Sequence, residues 1–480
     1  MKYDIIIIGG GLGGLTAGAK LAKEGKKVLL VEQHSKPGGC ATTFKRKDFI
    51  LEVGLHEMDG LNKRDMKTKI FRDLGVFDEV EFLKVPEFYH FTNDRYQITI
   101  PHDPHEAIKL LYQYFPEEEG GINSYFDQVL NAKQKAKESI GQKESSLGEF
   151  LDSIIKNEDL KLILLGNLGY FHDDPYSISL NYYSVAQGSY YSGGGNFIKG
   201  GSQKLSNYLM DSIVKNGGEV ILRHMVSEII TENNKATGIV YKHKKDKNAL
   251  AVKAFADIII ANSAIPYVAE MLLPKKFGIK LKNEIEKFET GASLLTVYFG
   301  FKKSVKELGN KYYSRFVYDT TVRTQKDILT NNKADFTERS FTFIDYSQLD
   351  SQLAPEGKSV GAICCTDYAS DWENLEKEEY KVKKEKVKQI FMDRLDKLIP
   401  GTKDVIEYAE VGTPLTVTRY TLNPKGAVYG FAQTPERVGY EKIKSIRNLH
   451  FASAWTKIGG GFSGAIFSGY LCAFNILRNR

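Results

Sequence analysis

Only four cysteines occur in the 480 residues, Cys40, Cys364, Cys365 and Cys472, and none has the spacing of a metal-ligand set. That scarcity excludes a disulfide framework and fits a reducing compartment. The adjacent pair points its side chains apart if it lies in a strand. Long clean apolar runs are missing too. The stretch 3–21 contains Asp4 and is broken by Gly9, Gly10, Gly11, Gly13 and Gly14, unlike a signal peptide with a basic start and a cleavage site. The stretch 256–273 contains Asp257, Asn262, Pro266 and Glu270. Neither supplies the roughly 20 apolar residues of a membrane helix. A cytoplasmic protein without signal peptide or membrane span is expected, with peripheral contact to a membrane surface left open. There is no block of one charge: 66 Lys and Arg against 60 Asp and Glu leave +6, and the lysines are mixed among acids, which gives no case for nucleic acid. Internal repeats and linkers long enough to separate independent domains are also absent.

What the chain does have is length and glycine. At about 150 residues per domain, 480 residues suggest two or three domains. Residues 3–8 read as a strand with four consecutive isoleucines, 14–24 as a helix and 27–31 as a second strand, a βαβ unit on a parallel sheet buried on both faces. A second regular block has a helix over 203–216, a stop at Gly217-Gly218, and short strands at 219–222, 227–231, 236–241, 250–254 and 257–261. Lys242–Lys247 reads as a solvated hairpin tip. Residues 82–196 are rich in aromatics and helical patterns. Residues 267–411 mix strands such as 292–299 with a charged helix over 373–398, whose Val387, Phe391, Leu395 and Leu398 recur on one face.

Gly9-Gly10-Gly11-Leu12-Gly13-Gly14 fits G-x-G-x-x-G, follows a strand and opens a helix, and Glu32 closes the next strand 18 residues after the last glycine. Glycines there allow a tight turn and close approach of backbone N–H groups to a pyrophosphate, the helix start favours the anion, and the acid can accept ribose hydroxyls. Dinucleotide binding is expected. In the continuation Glu32-Gln33-His34-Ser35-Lys36-Pro37-Gly38-Gly39-Cys40-Ala41-Thr42, the paired glycines let a second backbone segment touch the cofactor without a Cβ clash.

This E-x5-GG-x-x-T stretch resembles the FAD signature of the amine oxidase and phytoene desaturase superfamily, and Cys40 is closer to its carotenoid isomerase and retinol saturase branch. Three later segments are similar to the same branch: Lys199-Gly200-Gly201-Ser202 with Gly217-Gly218-Glu219-Val220 and Val226; Gly412-Thr413-Pro414-Leu415-Thr416 with Tyr420, Gly426, Tyr429 and Gly430; and Phe451-Ala452-Ser453-Ala454 with Gly459-Gly460-Gly461, Gly464 and Ser468-Gly469. The resemblance implies a discontinuous α/β, Rossmann-like FAD-binding domain over 1–81, 197–266 and 412–480, interleaved with an α+β substrate domain over 82–196 and 267–411. It implies FAD contacts at Gly9, Gly11, Leu12, Gly13, Gly14, Glu32, Gln33, Gly38, Gly39, Cys40, Thr42, Val226, Asn262, Ala454, Gly461, Gly464 and Ala465. One departure is Ser453-Ala454, where the family commonly has Gly-Asp or Gly-Glu. The glycine turn at Gly459–Gly461 feeding a helix over 464–477 would aim a positive helix end at the flavin pyrimidine ring.

Phe49-Ile50-Leu51-Glu52-Val53-Gly54-Leu55-His56 resembles the family's F-x-x-D-x-G stretch, with Glu52 for the usual Asp. His56 is the candidate proton donor or acceptor because its ordinary pKa lies near neutrality; satisfaction by a backbone carbonyl is the competing reading. Glu57 is a second catalytic candidate, against a surface carboxylate. Tyr420 and Tyr429 are candidates for the substrate passage, against ordinary core. Tyr182-Tyr183 and Tyr190-Tyr191 are candidate walls of a hydrophobic channel. His102 and His105 lie in a proline-punctuated loop without further ligands, read as a solvated turn, so no metal is expected.

The resemblance further implies an isoprenoid, polyene or other lipidic substrate and chemistry at a carbon–carbon double bond. Retinol saturase-like reduction is the first reading, and phytoene-type desaturation or carotenoid isomerisation the second. A non-enzymatic lipid carrier like the GDP-dissociation inhibitors is a third, although those have lost glycines that this sequence keeps. No second complete fingerprint is visible, so NAD(P)H, a quinone or oxygen would exchange electrons from outside.

Overall fold

The computed structural model describes residues 2–138, 143–437 and 445–478. The isoleucine run forms the strand Lys2–Ile8, with Ile5, Ile6 and Ile7 wholly buried. It pairs parallel with Val28–Val31 on one side and Val252–Ala261 on the other, the arrangement that a strand apolar on both faces requires. Glu219–Ile221 extends the sheet beyond Val28–Val31, and Leu449–Phe451 joins Val252–Ala261 in parallel. A hairpin of His224–Glu232 and Lys235–His243 completes the seven strands. Its turn uses Asn233 and Asn234, both at positive φ, where asparagine is the best tolerated non-glycine residue.

Two expectations are corrected. The strands expected at 250–254 and 257–261 are one strand, Val252–Ala261. Its first part pairs antiparallel with the hairpin while its second is enclosed between Lys2–Ile8 and Leu449–Phe451, so the pattern changes from half-exposed to buried within one element. The first helix spans Leu12–Lys23, beginning two residues early because the last glycines of the fingerprint lie inside it. The basic stretch after His243 is an exposed turn, as expected, and Lys244 reaches from it to Gln33 Oε1 at 2.6 Å.

A second seven-stranded sheet runs in the order Ile406–Gly412, Ser293–Phe301, Ser359–Asp367, Phe341–Asp345, Ser314–Val317, Tyr89–Thr92 and Gln97–Ile100. The long helix Lys377–Leu398 buries Val387, Phe391 and Leu395 against it, the stripe expected from spacing. Helices between 104 and 193 pack around the other end of this sheet. The fold is thus α/β in class, with helices on a largely parallel sheet joined to an antiparallel-rich sheet with its own helices.

The closing helix Gly461–Arg478 lies along the first helix, where a Cβ on Gly469 would stand 2.2 Å from the Gly13 carbonyl oxygen. The start of the first helix thereby packs against the middle of the closing one. Among the described residues, no helix is long and apolar enough to cross a membrane.

Candidate functional site

Between the two sheets lies a cavity of about 2110 Å³. A single small-ligand site usually measures about 300–1,000 Å³, so there is room for more than one ligand. Gly9, Gly11, Leu12 and Gly13 line it from the end of the opening strand. Gly9 has φ +95°, and a Cβ there would come 2.7 Å from the Asn262 carbonyl oxygen. Gly11 caps the first helix without any side-chain hydrogen bond, and no acid stands in the first turn, so the first amides are free to meet an anion. Gly14 is the one expected contact residue that does not line the cavity. A Cβ there would come 2.3 Å from the Gly9 carbonyl oxygen, so it serves the turn itself.

The segment carrying the second glycine pair folds back onto this loop. Gly38 N–H donates to the Gly10 carbonyl at 2.7 Å, with φ +128° at Gly38 and +62° at Gly39. The start of the helix Gln203–Lys215 grips the same segment: Gln203 accepts from Thr42 Oγ1 at 2.5 Å and donates to the Pro37 carbonyl at 2.9 Å, and Ser206 donates to the Ala41 carbonyl. Glu52 ties the two regions together, accepting from Ser202 N–H and hydroxyl, both at 2.7 Å, and from Leu55 and Gly54 N–H. Burial outweighs those bonds and pushes its carboxyl up to about 7. Cys40, also on the cavity wall, has its thiol pushed up to about 11 by burial.

Glu32 closes one end of the cavity, with Oε2 accepting from Gly10 N–H at 2.6 Å and Oε1 from His34 N–H at 2.8 Å. Gln33, Val226 and Asn262 line the wall near it, and Asn262 donates its amide to the Gly9 carbonyl. Tyr420 belongs to this end as well. Its ring is 5.4 Å from His34, its carbonyl pairs with His34 Nε2 at 2.7 Å, and it is half exposed. That placement puts it beside the acid of the fingerprint, away from the chamber around His56.

The closing motif lines the same cavity through Ala454, Gly461, Gly464 and Ala465. Tyr429 packs its backbone where a Cβ on Gly460 would stand 2.4 Å from its Cα, and its side chain lines the cavity. Ala454 stands at the position of the family's acid and has no side-chain oxygen, while the neighbouring Ser453 hydroxyl accepts from Trp455 N–H at 3.2 Å. Ser463 donates to Asp59, whose other oxygen accepts from Lys67 at 2.8 Å. Burial pushes the Asp59 carboxyl up, but the fully buried Lys67 ammonium outweighs it and holds the group below the ordinary range.

Beyond these segments the cavity becomes an aromatic chamber. His56 lines it, its ring 5.7 Å from Tyr170, and the ring has no hydrogen bond among the described residues, so the backbone-carbonyl reading does not hold. Burial lowers its pKa to about 4, which leaves a neutral imidazole at neutral pH. Glu57, read as a surface carboxylate or a catalytic group, is buried and lines the chamber, which excludes the surface reading. Neither carboxyl oxygen has a hydrogen-bond partner among the described residues. Burial, then the nearby Glu87 and Asp59, push its pKa well above the ordinary value against an opposing Lys84.

The tyrosine pairs divide by helical period. Along the helix Leu180–Gly193, Tyr182 and Tyr190 line the chamber with Val185, Ala186 and Ser189, whereas Tyr183 and Tyr191 join the core behind it. Tyr170, Phe316 and Tyr298 complete the wall, and none carried a sequence signal. The proline-punctuated loop is a helix start: Asp103 accepts from His105 and Glu106 N–H and Pro104 is the first residue of Pro104–Tyr114. Among the described residues no group of three His, Cys, Asp or Glu is placed to hold a metal ion.

The donor set fits a dinucleotide: an uncapped helix start, two glycine segments clasped together, an acid at the strand end and a second helix start on the same cavity. Comparison with known proteins agrees. The profile of the family described as flavin containing amine oxidoreductase matches residues 12–477. An all-trans-retinol 13,14-reductase of Danio rerio is 25% identical over 536 residues, covering 99% of this chain and 86% of that protein. A chloroplastic prolycopene isomerase of Daucus carota is 27% identical over 509 residues, covering 99% and 80%. In fold, an oxidoreductase from Methanosarcina mazei matches with a TM-score of 0.66 at 18% identity over the full length of both chains. A redesigned putrescine oxidase matches with 0.67 at 14% identity, covering 100% of this chain and 99% of that one.

Proposed function

The chain belongs to the family of flavin containing amine oxidoreductases, and on that premise we propose that it is a FAD-dependent enzyme that reduces a carbon–carbon double bond of an isoprenoid or polyene substrate, as a retinol saturase does. Desaturation or cis–trans isomerisation of a carotenoid on the same scaffold is the second reading, favoured by the similarity to prolycopene isomerases. When bound, FAD supplies a two-electron centre that exchanges hydride with a carbon.

The chain's own residues supply the rest. The free amides at Leu12 and Gly13 bind the pyrophosphate, Glu32 accepts ribose hydroxyls, and Gly38, Gly39 and Cys40 run beside the cofactor backbone. The start of the closing helix, at Gly461, Gly464 and Ala465, places a positive helix end where negative charge develops. Residues 1–81, 197–266 and 412–480 are assigned to the cofactor unit, and 82–196 with 267–411 to the substrate unit. Tyr182, Tyr190, Phe316 and Tyr429 exclude water from the chamber. His56 handles the proton: a neutral imidazole has one N–H to give and one lone pair to take.

We also place the cavity mouth on a membrane surface, on the cytoplasmic side. Met66, Leu130, Val185, Leu471 and Phe474 all line the cavity while 40 to 48% exposed, with Arg64 and Lys133 on the same lining. An apolar rim with cations suits an anionic lipid surface from which a polyene can enter.

The observation that carries the reading is the convergence of three glycine segments, at Gly9–Gly13, Gly38-Gly39 and Gly460–Gly464, on one cavity that continues into an aromatic chamber. The test is anaerobic incubation of the purified yellow protein, chemically reduced, with an all-trans polyene, followed by mass measurement of the product. A gain of two hydrogens supports reduction, an unchanged mass with altered geometry supports isomerisation, and a colourless protein that retains no flavin overturns both.

A further inference from the structure

The chamber holds polar atoms that the chain leaves without partners. Both Glu57 oxygens and the Tyr170 hydroxyl are buried and unpaired among the described residues, in a wall otherwise made of Tyr190, Phe316 and similar rings. Buried polar groups are nearly always hydrogen-bonded, so such a set inside a ligand cavity calls for a ligand atom. The seat is built for it: a Cβ on Gly195 would fall 1.7 Å from Glu57 Oε2, so glycine there makes room for the carboxyl. Lys84, the cation that opposes the rise in the Glu57 pKa, donates to the Gly193 carbonyl at 2.6 Å.

We propose that Glu57 and Tyr170 recognise an oxygen-bearing end group, so that this enzyme takes an isoprenoid alcohol or its carbonyl form in preference to a hydrocarbon. The inference rests on the polyene reading above and narrows its substrate class. Burial and the neighbouring Glu87 and Asp59 raise the Glu57 pKa well above the ordinary carboxyl value and so favour its protonated form, which offers one O–H donor and one carbonyl acceptor, and the Tyr170 hydroxyl offers the same pair. An alcohol or a carbonyl can satisfy them; a hydrocarbon leaves all three atoms unpaired, and a site of this kind rejects a ligand lacking the matching group by about tenfold or more.

The test is equilibrium binding to the flavin-loaded protein of an all-trans C20 polyene alcohol and of the hydrocarbon with the same skeleton, read by polyene fluorescence. Wild-type protein is expected to bind the alcohol at least tenfold more tightly. Glu57→Leu is expected to abolish the preference, Glu57→Gln to keep most of it, and Tyr170→Phe to reduce it several-fold, each with unchanged flavin content and a cooperative melt. Equal affinity of wild-type protein for the two ligands overturns the proposal, and so does a preference that survives Glu57→Leu. Should Glu57→Leu fail to fold, Tyr170→Phe decides, and an undiminished preference there also overturns it. Binding of both ligands without preference leaves the polyene reading standing; binding of neither sinks that reading and this one together.

Discussion

Gly13 and Gly469 touch backbone to helix across the molecule: a single added Cβ on Gly469 would lie 2.2 Å from the Gly13 carbonyl oxygen. The first helix and the last are held at that spacing, and both present their starts to one cavity. Gly469→Val is expected to force the helices apart, destabilising the fold by about 1–3 kcal/mol or more. Flavin retention should fall with it. Calorimetry and the visible spectrum measure the two effects, and an unchanged melt with full flavin content would refute the packing argument.

Lys67 is fully buried and paired with Asp59 at 2.8 Å. Lys67→Met should destabilise the protein by about 3–5 kcal/mol, because it strands Asp59 as a buried charge. Lys67→Met combined with Asp59→Asn should recover part of that loss. Denaturant titration of the three variants tests the coupling.

His56→Ala is expected to slow turnover by about a hundredfold or more while flavin content stays constant. With its pKa near 4, the His56 ring should add no ionisation to the rate profile between pH 6 and 9. Unaltered kinetics in the variant would return the residue to a structural role.

Stability should decline as pH rises above the ordinary carboxyl value of 4.5, because Glu52 and Glu57 keep protons in the fold that the unfolded chain releases. Their contribution is complete below 4.5 and is lost as pH passes their raised folded values, about 7 for Glu52. Glu57→Gln removes one of the two ionisations without changing shape, so its melting temperature should fall less steeply from pH 6 to 9 than that of the wild type. Parallel slopes would show that Glu57 is not held protonated.

Replacing Met66, Leu471 and Phe474 together by Ser should sharply reduce flotation with anionic liposomes and leave flavin binding intact, since all three lie on the exposed rim. Wild-type protein that stays wholly in the soluble fraction would remove the membrane-surface assignment.

The nucleotide-binding frame is written in local sequence. A need for positive φ or for the absence of a Cβ is met at single positions, so Gly9, Gly38, Gly39 and Gly461 could be recognised residue by residue, and four adjacent isoleucines specify a strand buried on both faces. Tertiary structure alone decided the fate of side chains whose surroundings come from distant segments. Glu57 is buried because strands around residues 85 and 195 close over it, Tyr420 meets His34 across 386 residues, and Tyr182 faces the chamber while Tyr183 does not because of where their helix docks. Local chemistry sets what a backbone can do; burial, and with it the protonation of Glu57 and the chamber's polarity, depends on contacts between segments far apart in sequence.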